Sequence, residues 1–169
     1  MIKDGVRQDQ WNFYYPNGKK SALEEYESGL LNGEVVYFDT AERMIGREHW
    51  EMGLLTDSAF YYYSNGRIEK TGIYLEGLYS GEWLFFYENG HLKRKGQYFD
   101  GLPEGMWIFY NDAGIRIQEG NFKEGNESGE WKFFTDTGEL EFIGQYQNGQ
   151  KSGIWYRILK NGKKKKIKY

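Results

Sequence analysis

The sequence predicts an all-β fold, an elongated and twisted antiparallel meander of β-hairpin repeats. Three observations predict it. One 24-residue pattern recurs down the chain with no insertion or deletion. Gly-containing turns punctuate the pattern at fixed places. The composition pairs 19% aromatics and 23 Gly with only two Pro, which suits twisted strands and turns. No 3.6-residue apolar period is sustained anywhere, and a fixed period in this range marks a solenoid or array.

The pattern is clearest at Tyr74, Gly77, Gly81, Trp83, Phe86 and Gly90. It returns as Tyr98, Gly101, Gly105, Trp107, Tyr110 and Gly114, then as Phe122, Gly125, Gly129, Trp131, Phe134 and Gly138. A last full copy reads Tyr146, Gly149, Gly153, Trp155, Ile158 and Gly162. Earlier copies are irregular, with Trp50, Gly53, Asp57, Ala59, Tyr62, Gly66 and Tyr26, Gly29, Gly33, Val35, Phe38, Glu42. A first copy enters late, at Gly5, Asp9, Trp11, Tyr14 and Gly18. About seven units and roughly 14 strands follow. The whole of 1–169 reads as a single array, irregular over about 26–73, regular over about 74–162, and closed by a basic cap at 163–169.

Each unit predicts two strands and two turns. Glu82 to Tyr87 is the outgoing strand and about Leu92 to Tyr98 the return. Asn89-Gly90 between them predicts a two-residue hairpin turn with both residues at positive φ. It recurs as Asn17-Gly18, Asn65-Gly66 and Asn161-Gly162, and weakens to Ala113-Gly114 and Thr137-Gly138. The span Asp100 to Gly105, with glycines four apart, predicts the loop into the next hairpin. Strands of about six residues, about 4.8 Å apart, predict a body roughly 65 Å long.

Alternation puts Trp83, Phe85 and Tyr87 on one face and Leu84 and Phe86 on the other. The preferred reading is a coiled sheet with its Trp ladder inside. Gly72, Gly96, Gly120 and Gly144 fall inside return strands, where a glycine marks a bulge or a close approach, here by an aromatic ring. Glu24 and Glu48 hold this position in the irregular copies, so packing there must differ.

This pattern of two spaced glycines, Trp, Tyr or Phe and a turn glycine resembles the MORN repeat, in its bacterial variant. The resemblance spans essentially the whole chain. It is strongest where Gly77, Gly81, Trp83, Phe86, Gly90 and Gly96 and their equivalents stand, and weaker where Val35 and Ala59 replace Trp and Glu42 and Asp57 replace Gly. It implies a hairpin array without catalysis of its own that engages proteins, itself or phospholipid headgroups. It further implies an antitoxin-like role in a toxin–antitoxin system.

The residues themselves offer little chemistry. There is no Cys, which excludes disulfides, thiolate metal sites and Cys nucleophiles. His49 and His91 occupy different repeat positions and form no metal-spaced pair. No nucleophile elbow or phosphate loop is present, and Asn126-Glu-Ser128 reads as a chance sequon match in a turn. No enzyme activity and no cofactor are expected. No apolar run reaches the length of a membrane helix, and the expected location is the cytoplasm.

Two stretches stand out as binding candidates. Where Val35 and Ala59 interrupt the Trp ladder, Tyr37, Trp50, Tyr61, Tyr62 and Tyr63 gather. Tyr and Trp are favoured at binding hot spots, so Tyr37, Trp50, Tyr61 and Tyr63 are a candidate protein-binding groove. Compensatory packing, with Trp50 and Met52 filling the space of the lost indole, is the competing account. At the other end, Lys163, Lys164, Lys165 and Lys166, with Lys168, form a candidate anion-contacting patch or a polar end-cap.

The net charge of -3 hides a split. All 25 acidic residues precede residue 142, whereas eight of the 22 basic residues follow it. An acidic body suits a basic protein partner such as a toxin. The basic end suits an anionic membrane or a second copy of the chain. Strong nucleic-acid binding is not expected, because the acidic body opposes it and Tyr169 is the only aromatic after Tyr156.

Overall fold

The structure is a computed structural model that describes residues 1–167. The chain is all-β, built of consecutive antiparallel hairpins. It divides into two compact units, Met1–Ser80 and Gly81–Tyr169.

The first unit opens with a small hairpin of β1 (Ile2–Lys3) and β2 (Val6–Arg7). A meander follows through β3 (Asp9–Tyr14), β4 (Lys20–Glu27), β5 (Leu30–Leu31), β6 (Gly33–Phe38), β7 (Met44–Glu51), β8 (Leu54–Tyr62) and β9 (Ile68–Leu75). Strand β6 lies between β4 and β7, and β5 pairs only with β4. Strand β10 (Leu78–Phe86) runs across the boundary. The second unit continues through β11 (Leu92–Phe99), β12 (Leu102–Tyr110), β13 (Arg116–Lys123), β14 (Asn126–Phe134), β15 (Leu140–Gln147), β16 (Gln150–Ile158) and β17 (Lys164–Ile167). Each pairs with its neighbour in sequence.

The described residues hold 17 strands against the roughly 14 expected. The surplus is local. The β1–β2 hairpin precedes the first full copy, and Asn32 splits one outgoing strand into β5 and β6. Elsewhere the outgoing strands are longer than the sequence suggested, because they begin directly after the first glycine of the pair. Asp100 (φ 47°) and Gly101 (φ 76°) form a two-residue turn, and Phe99 pairs with Leu102. Both residues lie in the left-handed region, which is the hairpin turn matched to strand twist. Gly105 (φ 67°) is then a bulge within β12, not the end of a loop.

The Asn-Gly turns also differ from expectation. Gly90 has φ 92°, but Asn89 is not at positive φ. The Gly90 amide donates to the Tyr87 carbonyl at 2.8 Å, and the Tyr87 amide to the His91 carbonyl at 2.8 Å. This is a longer turn closed by a glycine bulge. Asn89 serves it through its side chain, whose Oδ1 accepts from the His91 amide at 2.9 Å. Where the Asn is lost, the first turn residue takes over. Asn111 Oδ1 accepts from the Ile115 amide at 2.9 Å, and Thr135 Oγ1 from the Glu139 amide at 3.1 Å.

The bulge shapes the core of the second unit. Lys95 pairs with Ile108 and Gln97 with Glu104, so Gly105, Met106 and Trp107 stand against the single residue Gly96. The indole of Trp107 folds onto Gly96, leaving no room there for a side chain. Trp131 lies on Gly120 and Trp155 on Gly144 in the same way. Their indole N–H groups donate to the carbonyls of Gln97, Asn121 and Gln145 at 3.1–3.2 Å. Rings interleave between them: Tyr98 and Phe122 meet Trp107 edge-on at 5.1 and 5.8 Å, and Phe109 lies tilted at 6.1 Å. Trp83, Trp107, Trp131 and Trp155 are all buried, as the ladder reading expected. Edge-to-face geometry and full burial make these pairs the main apolar stabilisation of the unit.

Candidate binding face

The first unit builds the same face from different residues. Arg47 pairs with Phe60 and His49 with Thr56, so Asp57, Ser58 and Ala59 bulge against Glu48. Asp57 holds the bulge at φ 56° without a glycine. Here Ala59 stands where the regular copies have Trp, and Glu48 where they have Gly. A short methyl replaces the indole, and a carboxylate rises from the opposite strand into the space.

That carboxylate organises the face. Glu48 is buried, at 8% exposure. Tyr61 donates its hydroxyl to Oε1 at 2.5 Å. Tyr37 donates to Oε2 at 3.0 Å, and the Trp50 indole N–H to the same oxygen at 3.1 Å. The Tyr61 and Tyr74 hydroxyls meet at 3.1 Å. Three neutral donors thus satisfy a carboxylate that burial would otherwise penalise. No Lys, Arg or His among the described residues pairs with it. Burial, reinforced by Glu48, raises the Tyr37 and Tyr61 hydroxyls well above the ordinary tyrosine range. Burial also raises Tyr74.

Three of the four aromatic residues singled out from the sequence, Tyr37, Trp50 and Tyr61, therefore come together around one carboxylate. Each keeps part of its surface exposed. Tyr63 does not join them. It lies past the end of β8, where its amide donates to the Arg67 carbonyl at 2.9 Å to open a turn. The two residues missing from the sequence-based list are Glu48 and Tyr74. Glu48 had a signal: it replaces the glycine that faces the Trp position, in the same copy that loses the Trp.

A related arrangement precedes it. Tyr26 donates to Glu24 Oε2 at 2.5 Å, and Arg7 Nη1 donates to the Tyr26 hydroxyl at 2.7 Å. The Arg7 guanidinium lies 5.1–5.3 Å from the ring centres of Trp11, Phe13 and Tyr26.

The basic end is placed differently. Lys163 closes the last turn, its carbonyl accepting from the Leu159 amide at 2.9 Å. Lys164, Lys165 and Lys166 lie on β17 and are exposed. Lys166 pairs with Tyr156 and Lys165 with Arg157, so alternation sends their side chains to opposite faces. Lys168 and Tyr169 lie outside the described residues. No group of three or more His, Asp or Glu among the described residues could hold a metal ion.

The family model described as the MORN repeat variant matches residues 79–100 and 127–148. These two segments are MORN-type repeats. They contain Trp83 with Gly96 and Trp131 with Gly144, so the matched MORN segments are copies with the indole ladder intact. The matches support the MORN repeat family, whose repeats are often protein- or membrane-binding modules. The Glu48 region lies outside both. No curated protein matches the chain.

Proposed function

We propose that this chain is a non-catalytic protein-binding scaffold and, within that class, an antitoxin- or immunity-like protein that masks a basic partner. One observation carries the reading. Tyr37, Trp50 and Tyr61 are partly exposed on one face yet fixed by hydrogen bonds to the buried Glu48 carboxylate. Aromatic side chains already held in one arrangement lose little freedom on binding, which favours affinity. The acidic excess before residue 142 adds long-range attraction for a basic protein. The reading includes a cytoplasmic location, which cell fractionation would test.

The experiment is affinity capture from the native cell with the wild-type chain and with Tyr61→Ala and Trp50→Ala, alongside melts of each protein. A partner retained by the wild type and lost by folded variants supports the aromatic face. Capture unchanged in both folded variants removes it. Growth rescue on co-expression with a captured basic toxin tests the antitoxin role, and a captured partner without toxicity excludes it.

A second reading is favoured by the exposure of Lys164, Lys165 and Lys166 on the terminal strand. In it the basic end contacts anionic lipid, each lysine near the surface contributing about 1 kcal/mol. Sedimentation with anionic and neutral vesicles separates the two readings.

A further inference from the structure

Two successive copies place a cation over an aromatic ring at the same repeat position. Lys70, paired with Tyr61, places Nζ 4.2 Å from that ring's centre and 2.8 Å from the Tyr79 hydroxyl. The equivalent residue one copy later is Arg94. It is paired with Phe85 and lies 4.2 Å from that ring's centre. One copy earlier the position is Gly46, paired with Tyr37. Gly46 has no side chain and is buried between two rings, where an added Cβ would stand 3.2 Å from Tyr37 and 3.4 Å from Tyr61. Among the described residues no cation lies over Tyr37 or Trp50.

Ala22, Gln118 and Phe142 also hold this position without a charge, but of these copies the one with Gly46 carries the buried carboxylate, Glu48. Glu48 lies two residues beyond Gly46 on the same face of β7. Arg7 fills the equivalent place beside Glu24, through Tyr26 and three rings. Aromatic faces attract cations through their quadrupole, with Arg and Lys the usual occupants. A buried negative charge satisfied only by neutral donors adds Coulomb attraction in a medium that screens it weakly.

Building on the scaffold reading, we infer that the partly exposed face formed by Tyr37 and Trp50 over Glu48 receives a lysine or arginine side chain from the protein partner. The cationic head lies over the Tyr37 ring beside Trp50, and Glu48 supplies the counter-charge. Arg7 and Lys70 show the two chemistries that the face already accepts within the chain. A basic partner would thus be read at one side chain as well as by overall charge.

The test uses short blocked peptides that carry a single arginine, lysine or glutamine and are otherwise identical. They are titrated into the full-length chain labelled with nitrogen-15, and the indole N–H signal of Trp50 is followed. The arginine and lysine peptides are expected to shift it saturably with a Kd on the order of 1 mM, a weak single-residue contact. The glutamine peptide leaves it in place. Glu48→Gln weakens binding about tenfold, equal to about 1.4 kcal/mol. Should that variant not fold, Tyr37→Leu serves in its place, with the same loss expected. An equal shift with glutamine overturns the inference. So does no shift at any concentration reached, or undiminished binding in a folded variant. Each of those results leaves the scaffold reading standing, because the probe is not the partner. Peptide binding without any captured protein sinks the scaffold reading instead.

Discussion

The indole of Trp107 lies flat on Gly96, and no side chain fits between them. Forty-eight residues earlier the same two positions hold Ala59 and Glu48. The two pairs are alternative solutions to one packing problem. Large ring on bare backbone fills the space in the second unit. Small methyl facing a long carboxylate, held by Tyr and Trp donors, fills it in the first. The column of rings beside them changes in step, from Phe85, Phe109 and Phe133 to Tyr37 and Tyr61. A phenylalanine has nothing to offer a carboxylate, whereas a tyrosine hydroxyl satisfies one of its acceptor sites.

The first prediction concerns the indole pair. Trp107→Ala removes a ring buried to 2% exposure, and a loss of about 3–5 kcal/mol is expected. Gly96→Ala inserts a methyl beneath the same ring and should cost about 1–3 kcal/mol. The double variant should lose less than the two separate losses together, because the inserted methyl has no indole left to meet. Denaturant melts of the four proteins measure the coupling. Strict additivity would mean that the two sites do not touch.

A second prediction exchanges one solution for the other. Ala59→Trp forces an indole into the space held by Glu48 and its three donors, and about 1–3 kcal/mol of destabilisation is expected. Adding Glu48→Gly recreates the pair found at Trp107 and Gly96, and should recover most of that loss. Adding Glu48→Gly to the wild-type Ala59 should instead leave a cavity and strand the Tyr and Trp donors, lowering stability. If the double variant melts below Ala59→Trp alone, the equivalence of the two copies is wrong.

Much of this was legible in the sequence. The 24-residue period gave the hairpins, and the interior glycines announced an aromatic ring above them, which Trp107, Trp131 and Trp155 supply. What stayed hidden was which glycine faces which Trp. The bulge sets three residues against one, so Gly96 meets Trp107, eleven residues on, and simple alternation does not show that pairing. Without it, the replacements at Glu48 and Ala59 look like two separate irregularities. The turns depart from the sequence expectation for a related reason. Asn-Gly is a hairpin signal in two geometries, and only the side-chain bond from Asn89 to the His91 amide reveals the longer one. The less conspicuous pairs Asp100-Gly101 and Glu124-Gly125 turned out to be the two-residue turns.

The third prediction is a pH dependence. Tyr37 and Tyr61 are raised from the ordinary value of 10.0, first by burial and then by Glu48, and Tyr74 is raised by burial. In the unfolded chain these hydroxyls ionise near pH 10. In the fold they hold their protons at higher pH. Above about pH 10 the unfolded state therefore binds fewer protons, and stability falls as pH rises. Below pH 10 all three are protonated in both states and contribute no slope. Denaturant midpoints measured from pH 8 upward should stay level and then decline past about pH 10. Tyr61→Phe should flatten part of the decline, and an identical decline in that variant would remove Tyr61 as a source.

The last prediction is that the basic end does not confer strong nucleic-acid binding. Its lysines do not form one surface. Lys166 pairs with Tyr156 and Lys165 with Arg157 in the strand register, so their side chains leave opposite faces of the sheet. Lys164 Nζ lies 5.7 Å from the Tyr156 ring centre, and Arg157 is paired with Glu141 at 3.2 Å. A duplex laid against either face would neutralise about two or three phosphates, and affinity rises with the number neutralised. The salt dependence would be correspondingly shallow, a slope near 0.9 per phosphate. Titration of DNA and RNA at two salt concentrations, repeated with Lys163 to Lys166 changed to Gln, measures this directly. Weak binding with a slope of about two is the expected result. Submicromolar binding with a steep salt slope, lost in the Gln variant, would show that the lysines act together on one ligand despite their alternation.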